Sequence, residues 1–132
     1  MDVLFGIEHI DCLDKAEVIA FDVETTGLVP VVGGLRLLQL TATDKPVVVL
    51  DMWELVKEEW ESLRKWCLER ERVWVAHNAV FDLGWLQEHR IELNGAVHCT
   101  MLASRLTSNG TPNLRHGLAP VLERHMGLTI SK

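Results

Sequence analysis

The sequence predicts an α/β fold, in which a mixed sheet carries helices on both of its faces. Two observations support this prediction. Short apolar runs rich in β-branched residues dominate the first part of the chain, and further on such runs alternate with stretches whose apolar residues recur at helical spacing. The length of 132 residues suits one domain, because an ordinary domain has roughly 100–200 residues. We therefore expect a single domain over residues 1–132.

Four strands are predicted, of which the first three follow one another directly. Residues 18–23 form an apolar, β-branched run, and residues 35–43 and 47–50 form two more. The last two runs are separated by Asp-Lys-Pro, a composition typical of tight turns. These three strands should therefore form an antiparallel meander. The fourth strand is expected at Val73–Ala76, after a long helical stretch.

Four helices are predicted from apolar residues at helical spacing with charged residues between them. Asp51 is expected to cap the first helix, because a short carboxylate side chain accepts hydrogen bonds from the first backbone N–H groups. Gly127 should end the last one, since glycine commonly terminates helices. The helices are expected over residues 53–67, 78–88, 99–106 and 113–126.

The charge balance restricts how the protein could bind nucleic acid. The chain has 19 acidic and 13 basic residues and a net charge of -6. A broad basic face, which binds phosphates by displacing counterions, is therefore not expected. An acidic cluster can still receive a phosphodiester through a bound divalent cation. Cys12, Cys67 and Cys99 show no zinc-finger spacing, and no apolar run is long enough to span a membrane. We expect a cytoplasmic protein without a membrane partner.

Asp22 and Glu24 are the first candidates for a functional site. Side chains at i and i+2 of a strand lie on one face of the sheet, so these two carboxylates form a pair. Ile19, Phe21 and Val23 should fill the opposite face. Two close carboxylates repel each other, and a divalent cation relieves that repulsion. On its own, however, such a pair more often marks the exposed end of a strand.

Asp82 favours a functional site over an exposed strand end. It lies within an apolar helical stretch, where a carboxylate is unfavourable without a partner. Asn78 precedes it by four residues and should share its helix face. If the preceding strand neighbours the first strand, Asp82 converges with Asp22 and Glu24. Such carboxylate sites suit Mg²⁺ or Mn²⁺ together with phosphate oxygens of a substrate. A phosphoryl-transfer site is the resulting hypothesis.

Two segments resemble known exonuclease motifs. Residues 21–28 read Phe-Asp-Val-Glu-Thr-Thr-Gly-Leu and look like the first motif of the DEDD superfamily of 3′→5′ exonucleases, and residues 77–82, His-Asn-Ala-Val-Phe-Asp, look like the second. Residues 100–106 and 118–122 are similar to the segment that follows in proofreading domains of family A DNA polymerases and in ribonuclease D. The resemblance implies an RNase H-like fold, with a mixed five-stranded sheet and helices on both sides.

The resemblance also implies roles for single residues. Thr25 and Leu28 match positions that contact the terminal nucleotide, through a backbone amide and an apolar wedge, and Asn78 matches a substrate-side polar residue. For Leu28 the alternative is a core or turn leucine, and for Asn78 it is a helix cap. Two ions, Mg²⁺ or Mn²⁺, are implied, which assist the attack of water on the terminal phosphodiester. The catalytic and metal-binding positions are matched by Asp22, Glu24 and Asp82.

The chain departs from the family pattern near its C-terminus. The pattern implies a fourth acid, preceded by Tyr or His, on a helix beyond residues 118–122. Only Glu123 is acidic there, and the sequence contains no tyrosine. We expect a C-terminally truncated domain, whose open side invites self-association or a partner. Cys99 stands where relatives commonly carry Asp and is expected to begin a helix. The spacing of His77 and Asp82 also fits the histidine subfamily's last motif, but their surroundings are those of the second.

Three functions follow as alternatives. The first is removal of nucleotides from single-stranded 3′ ends, with DNA proofreading favoured over RNA trimming of the ribonuclease D type. The second is that RNA trimming itself. The third is a non-catalytic domain that binds nucleic acid or a protein.

Two groups of side chains are interpreted structurally. The tryptophans other than Trp85 are expected to pack in the core, whereas Trp85 either packs there or stacks on a base. The dispersed histidines His9, His89, His98, His116 and His125 show no ligand spacing and should lie at or near the surface.

Overall fold

A six-stranded mixed sheet forms the centre of the computed structural model, which describes residues 2–28, 34–109 and 111–130. The predicted α/β class is confirmed. The spatial order of the strands is β1-β4-β3-β2-β5-β6. The strands are β1 (Val3–Phe5), β2 (Val18–Thr25), β3 (Leu35–Thr41), β4 (Val47–Asp51), β5 (Val73–Ala76) and β6 (Val97–Cys99).

The predicted meander is confirmed, because β2 pairs antiparallel with β3 and β3 with β4. The remaining pairings are parallel and join β1 to β4, β2 to β5 and β5 to β6. In the β2–β5 pair, Ile19 lies opposite Trp74. The strand that ends in the acidic pair is therefore the neighbour of the strand that leads into Asp82. This was the condition for the three carboxylates to converge.

Five helical segments accompany the sheet in the described residues. They are a 3-10 helix (Ile7–Leu13), α1 (Lys57–Glu69), α2 (Ala79–Glu88), α3 (Thr100–Ser108) and α4 (Leu118–Met126). None of the described helices is long and apolar enough to cross a membrane. All four predicted α-helices exist, but two of them begin later than expected.

The first helix begins at Lys57 instead of residue 53, so the prediction that Asp51 caps it was wrong. The Asp51 carboxylate accepts a hydrogen bond from the Trp53 backbone N–H (3.1 Å) within a turn. At the true start, the Glu59 carboxylate accepts the backbone N–H of Val56 (3.1 Å). A glutamate three residues into a helix commonly satisfies such an N–H.

The last helix begins at Leu118 instead of residue 113. Asn113 has a φ of 65°, a left-handed conformation that cannot start a right-handed helix, and Gly117 occupies the N-cap position in an extended conformation. The predicted end is confirmed, because Gly127 adopts a φ of 66° and its N–H donates to the Glu123 carbonyl (3.1 Å). The two unpredicted strands, β1 and β6, have three residues each. With the four predicted strands they make six, one more than the five that the resemblance implied.

The core lies against one face of β2. Ile19, Phe21 and Val23 are buried there, while Asp22 and Glu24 on the other face are exposed. Trp66 and Trp74 are buried in this core as expected. Trp53 is not, since 59% of it is exposed and the Arg36 guanidinium lies over its ring, 4.2 Å from the centroid.

Gly95 allows a close backbone approach between β5 and β6. Its φ is 122°, and a Cβ atom there would overlap the backbone carbonyl oxygen of Arg72. The Arg72 N–H also donates to the Asn94 carbonyl (2.9 Å), which fixes the two segments against each other. We therefore expect Gly95→Ala to lower the free energy of unfolding by about 3 kcal/mol or more.

Urea denaturation measures this effect, and Gly127→Ala provides a matched control. Gly127 also has a positive φ, but nothing lies within 4 Å of an added Cβ. Its substitution should cost only about 1–2 kcal/mol, the conformational term alone. Equal losses in the two variants would contradict the steric argument.

Candidate active site

The acidic pair lies at the end of β2, where the strand is irregular. Asp22 is opposite Gln39 and Glu24 is opposite Leu37, and the register shifts between Glu24 and Thr25. Such irregularities bend a strand and redirect the side chains beside them. The alternation of buried and exposed residues along β2 places both carboxylates on its exposed face. The predicted pairing of Asp22 and Glu24 on one face is confirmed.

Asp82 lies in the first turn of α2 and is only 2% exposed. Its Oδ1 accepts a hydrogen bond from the backbone N–H of Val23 (3.3 Å), the residue between Asp22 and Glu24. Its Oδ2 is buried and has no hydrogen-bond partner among the described residues. A buried carboxylate oxygen in that state is costly. The fold therefore holds Asp82 against the acidic pair and leaves one of its oxygens unsatisfied.

The electrostatic surroundings of Asp82 disfavour its negative charge. Burial, and after it the Asp22 carboxylate, raise the pKa of Asp82, which is about 7 in the fold. The hydrogen bond from the Val23 N–H opposes this rise, while Glu24 adds a smaller increase. Either a proton or a bound cation would relieve the unfavourable charge.

The three carboxylates are close neighbours but do not form a ready-made cage. Within residues 2–28, 34–109 and 111–130, no group of three or more His, Cys, Asp and Glu side chains is gathered tightly enough to hold a metal ion. The unsatisfied Oδ2 and the raised pKa of Asp82 fit a divalent cation. Asp22, Glu24 and Asp82 are therefore the residues that could hold one.

Three further candidates lie around this cluster. The Thr25 hydroxyl donates to the Gly27 carbonyl (2.6 Å) and so fixes the bend after β2. Leu28 is 83% exposed, so it is not a core leucine. Asn78 occupies the N-cap position of α2 with a φ of 64°, but its side chain makes no capping hydrogen bond. Trp85 is fully buried, and the alternative that it stacks on a base was wrong.

His77 makes contacts that the sequence did not reveal. Its Nδ1 lies 2.8 Å from the Thr100 hydroxyl at the start of α3, and its Nε2 lies 2.8 Å from the His116 carbonyl oxygen before α4. The backbone N–H of Ala79 also contacts the Cys99 sulfur (3.3 Å) at the predicted helix start. The beginning of α2 is thus held by two later segments. No local pattern signals contacts between residues 23 and 39 positions apart.

Exposed apolar side chains occur on α3, on α4 and just beyond them. They are Leu102, Leu106, Leu118, Met126, Leu128 and Ile130. The expected self-association or partner on this side stays a prediction.

Cys12, Cys67 and Cys99 are all free thiols.

The mixed sheet and its helices have the RNase H-like fold of exonucleases. The sequence profile of the 3′-5′ exonuclease family matches residues 8–132, and the chain belongs to that family. A search of curated proteins gave no match. The resemblance that the two motifs suggested is therefore confirmed.

Solved structures agree with this assignment. NrnC from Brucella melitensis bound to pGG superimposes with a TM-score of 0.81 at 27% identity, covering 100% of this chain and 64% of that chain. NrnC with bound Mg²⁺ gives 0.80 at 25% identity, over 100% and 65%. Escherichia coli RNase D, an exoribonuclease, gives 0.75 at 20% identity, over 99% and 34%, which shows the shared fold. The chain thus spans a little under two thirds of the NrnC length.

Proposed function

We propose that the protein is a metal-dependent 3′→5′ exonuclease that removes nucleotides from single-stranded ends. The observation that carries this proposal is the position of Asp82, which is buried against the Val23 N–H of β2, near Asp22 and Glu24, with one oxygen unsatisfied. A purely structural side chain at this place would be more favourable without a charge. Membership of the exonuclease family and the likeness to Mg²⁺-bound NrnC support the same conclusion.

Asp22, Glu24 and Asp82 would hold Mg²⁺ or Mn²⁺, two ions in the pattern of the family. Such ions, when bound, make water a better nucleophile and stabilise the leaving oxygen. The protein's own contribution is to keep Asp82 fixed by the Val23 N–H while Asp22 and Glu24 face solvent, where a strand can approach. Leu28, with its exposed side chain, is proposed as the wedge against the terminal base.

Thr25 and Asn78 are proposed as further substrate contacts. The hydroxyl bond of Thr25 to Gly27 holds the bend that presents its backbone. Asn78 is exposed at the start of α2, and its amide does not cap the helix. Both residues therefore flank the three carboxylates with polar groups that a nucleotide could reach.

We propose short single-stranded oligonucleotides as the substrate class. The likeness to NrnC bound to pGG supports this choice. The DNA-proofreading prediction gains little, because the likeness to a polymerase domain has 18% identity and shows the fold alone. DNA and RNA ends both remain within the proposal. A cytoplasmic location also stays a prediction.

Trimming of short 5′-labelled DNA and RNA strands of the same sequence tests the proposal. With Mn²⁺ we expect successive shortening from the 3′ end, which stops in EDTA and falls in Asp22→Ala to the level of the EDTA control. The reason is that Asp22 belongs to the acid cluster that would hold the ion. Asp11→Ala removes an exposed carboxylate from the 3-10 helix and should retain full activity.

The possible results separate the candidate functions. Equal activity of Asp22→Ala and Asp11→Ala would show that the acid cluster is not the active site. No trimming by the unmodified chain, with Mn²⁺ binding still detected by calorimetry, would favour the non-catalytic binding domain. Faster trimming of one of the two strands would show whether DNA or RNA is the preferred substrate.

A further inference from the structure

Positive charge is concentrated in the last part of this acidic protein. Residues 1–96 carry a net charge of -9, whereas residues 97–132 carry +3, which together give the overall -6. Glu123 is the only acid in the second segment. Three of its four basic residues are arginines, namely Arg105, Arg115 and Arg124. The overall charge therefore conceals a local basic region.

The fold joins the three segments that carry these arginines, and we call Arg105, Arg115 and Arg124 the arginine cluster. The Arg124 guanidinium donates to the Arg115 carbonyl (2.7 Å) and to the Ser104 hydroxyl (2.9 Å), so α4 is joined to the loop before it and to α3. The Ser104 hydroxyl also lies 2.9 Å from His116 Nδ1. Burial lowers the pKa of His116, and the positive charges of Arg124 and Arg105 lower it further. All three arginines are exposed to solvent.

In the part of the chain that the structure describes, no carboxylate forms a salt bridge with these guanidiniums. The salt bridges found among residues 2–28, 34–109 and 111–130 join Arg36 to Asp51 and His9 to Glu8, and none involves the arginine cluster. Three exposed like charges on adjoining segments attract an anion of extended shape. A guanidinium is also the side chain best suited to phosphate, because its donors form a planar fork.

The loop that carries Arg115 contacts the segment that begins α2. The His116 carbonyl, one residue after Arg115, contacts His77 Nε2 at 2.8 Å. His77 directly precedes Asn78, and Asn78 begins the helix that carries Asp82. One hydrogen bond therefore separates the loop of the arginine cluster from the segment that leads to the acids.

We propose that Arg105, Arg115 and Arg124 form a surface that holds the sugar-phosphate backbone of the strand whose 3′ end lies at Asp22, Glu24 and Asp82. This inference rests on the proposed exonuclease function. Residues 97–132 contain no Phe, Trp or Tyr, so this segment lacks the large aromatic rings on which the bases of a single strand usually stack. The contact is therefore to phosphates, independent of base sequence and weakened by salt.

Fluorescence anisotropy with short labelled single strands in EDTA measures this binding without cleavage. Arg105→Gln combined with Arg115→Gln should weaken binding about tenfold at low salt, by the same factor for oligo-dT and oligo-dA. Removal of two phosphate contacts should also make the slope of log K against log salt shallower by about 1–2. The matched control, Lys57→Gln with Lys65→Gln, removes the same charge from exposed positions of α1 and should bind like the unmodified protein.

Folding and charge are controlled separately. Arg105→Lys with Arg115→Lys retains the charges and should bind nearly as well as the unmodified protein, while thermal melting shows whether each variant is folded. The inference is overturned if the glutamine pair binds as tightly as the α1 control with the same salt slope. It is also overturned if the unmodified protein binds neither strand.

The same samples, assayed with Mn²⁺, keep this inference distinct from the proposed function. If the unmodified protein trims the strands and all variants bind equally, the exonuclease function is supported and the phosphate-binding role of the arginine cluster is refuted. If Arg105→Gln with Arg115→Gln weakens binding but no protein trims the strands, the phosphate-binding role is supported and the exonuclease function is refuted.

Discussion

Asp82→Asn is expected to abolish the proposed exonuclease activity while it removes a pH-dependent loss of stability from the metal-free protein. Activity should fall more than about a thousandfold, equivalent to about 4 kcal/mol of transition-state stabilisation. The substitution removes the charge on the oxygen that lacks a hydrogen-bond partner. It preserves the Oδ1 that accepts the Val23 N–H. One change should therefore act in opposite directions on catalysis and on stability.

The direction of the stability effect follows from the raised pKa of Asp82. Its ordinary value is 3.8 and its value in the fold is about 7. Between these pH values the native protein binds more protons at Asp82 than the unfolded chain does. The associated stability is complete below about pH 4 and is lost as the pH rises through about 7. At about 1.4 kcal/mol for each pKa unit, the loss amounts to about 2–4 kcal/mol.

Urea denaturation in EDTA across this pH range measures the effect. The difference in unfolding free energy between the unmodified protein and Asp82→Asn should change by about 2–4 kcal/mol as the pH rises from about 4 to about 8. Asp11→Asn, which removes an exposed carboxylate, serves as the control. If the difference in unfolding free energy did not change with pH, the pKa of Asp82 would not be raised in the fold.

Arg72→Met is the second substitution for which a large effect is expected, of about 3–5 kcal/mol in stability. Arg72 is 3% exposed and its guanidinium lies over the Trp66 ring, 4.2 Å from the centroid. It donates to the carbonyls of Asp14 (3.0 Å) and Ala16 (3.2 Å). Burial lowers the pKa of Arg72, and the neighbouring Arg70 lowers it further. Methionine would fill similar space but remove both of these hydrogen bonds, so that the Ala16 carbonyl loses the Arg72 donor and the Asp14 carbonyl keeps only that of Arg70.

Arg70→Met provides the comparison for this prediction. Arg70 also donates to the Asp14 carbonyl (2.6 Å), but that bond is exposed. Water can replace an exposed donor, so the substitution should cost about 1 kcal/mol or less. The midpoint of urea unfolding reports both losses. Similar losses of stability in the two variants would show that the buried Arg72 guanidinium does not hold the end of the 3-10 helix and β5 together.

Local sequence pattern was sufficient for most of the fold. The longer strands and all four α-helices have periodic apolar residues, and the burial of alternate residues along β2 follows that period. β1 and β6 were missed because three residues are too few to establish a period. The start of α4 was misplaced because apolar spacing does not report the left-handed backbone of Asn113.

The site was predictable to a lesser extent. Asp22 and Glu24 follow from a two-residue period, and Asp82 from its apolar surroundings. The exposure of Trp53 and the burial of Trp85 depend on neighbours distant in the sequence, and the prediction for Trp53 was wrong. The arginine cluster is also invisible in the sequence, because its members are about ten residues apart and only the packing of α3 against α4 unites them.

The sparse packing of the last two helices divides the molecule into parts of unequal local stability. Ser104 is the only buried residue of α3, and α4 has none. Helices with so few buried side chains open with a lower free energy than the strands of the core. They can therefore unfold and refold while the sheet that positions the three acids stays intact. Binding of a strand at the arginine cluster would then also have to order these helices, which lowers the affinity. With rising temperature, the affinity for a substrate would therefore fall before the sheet that carries the three acids unfolds.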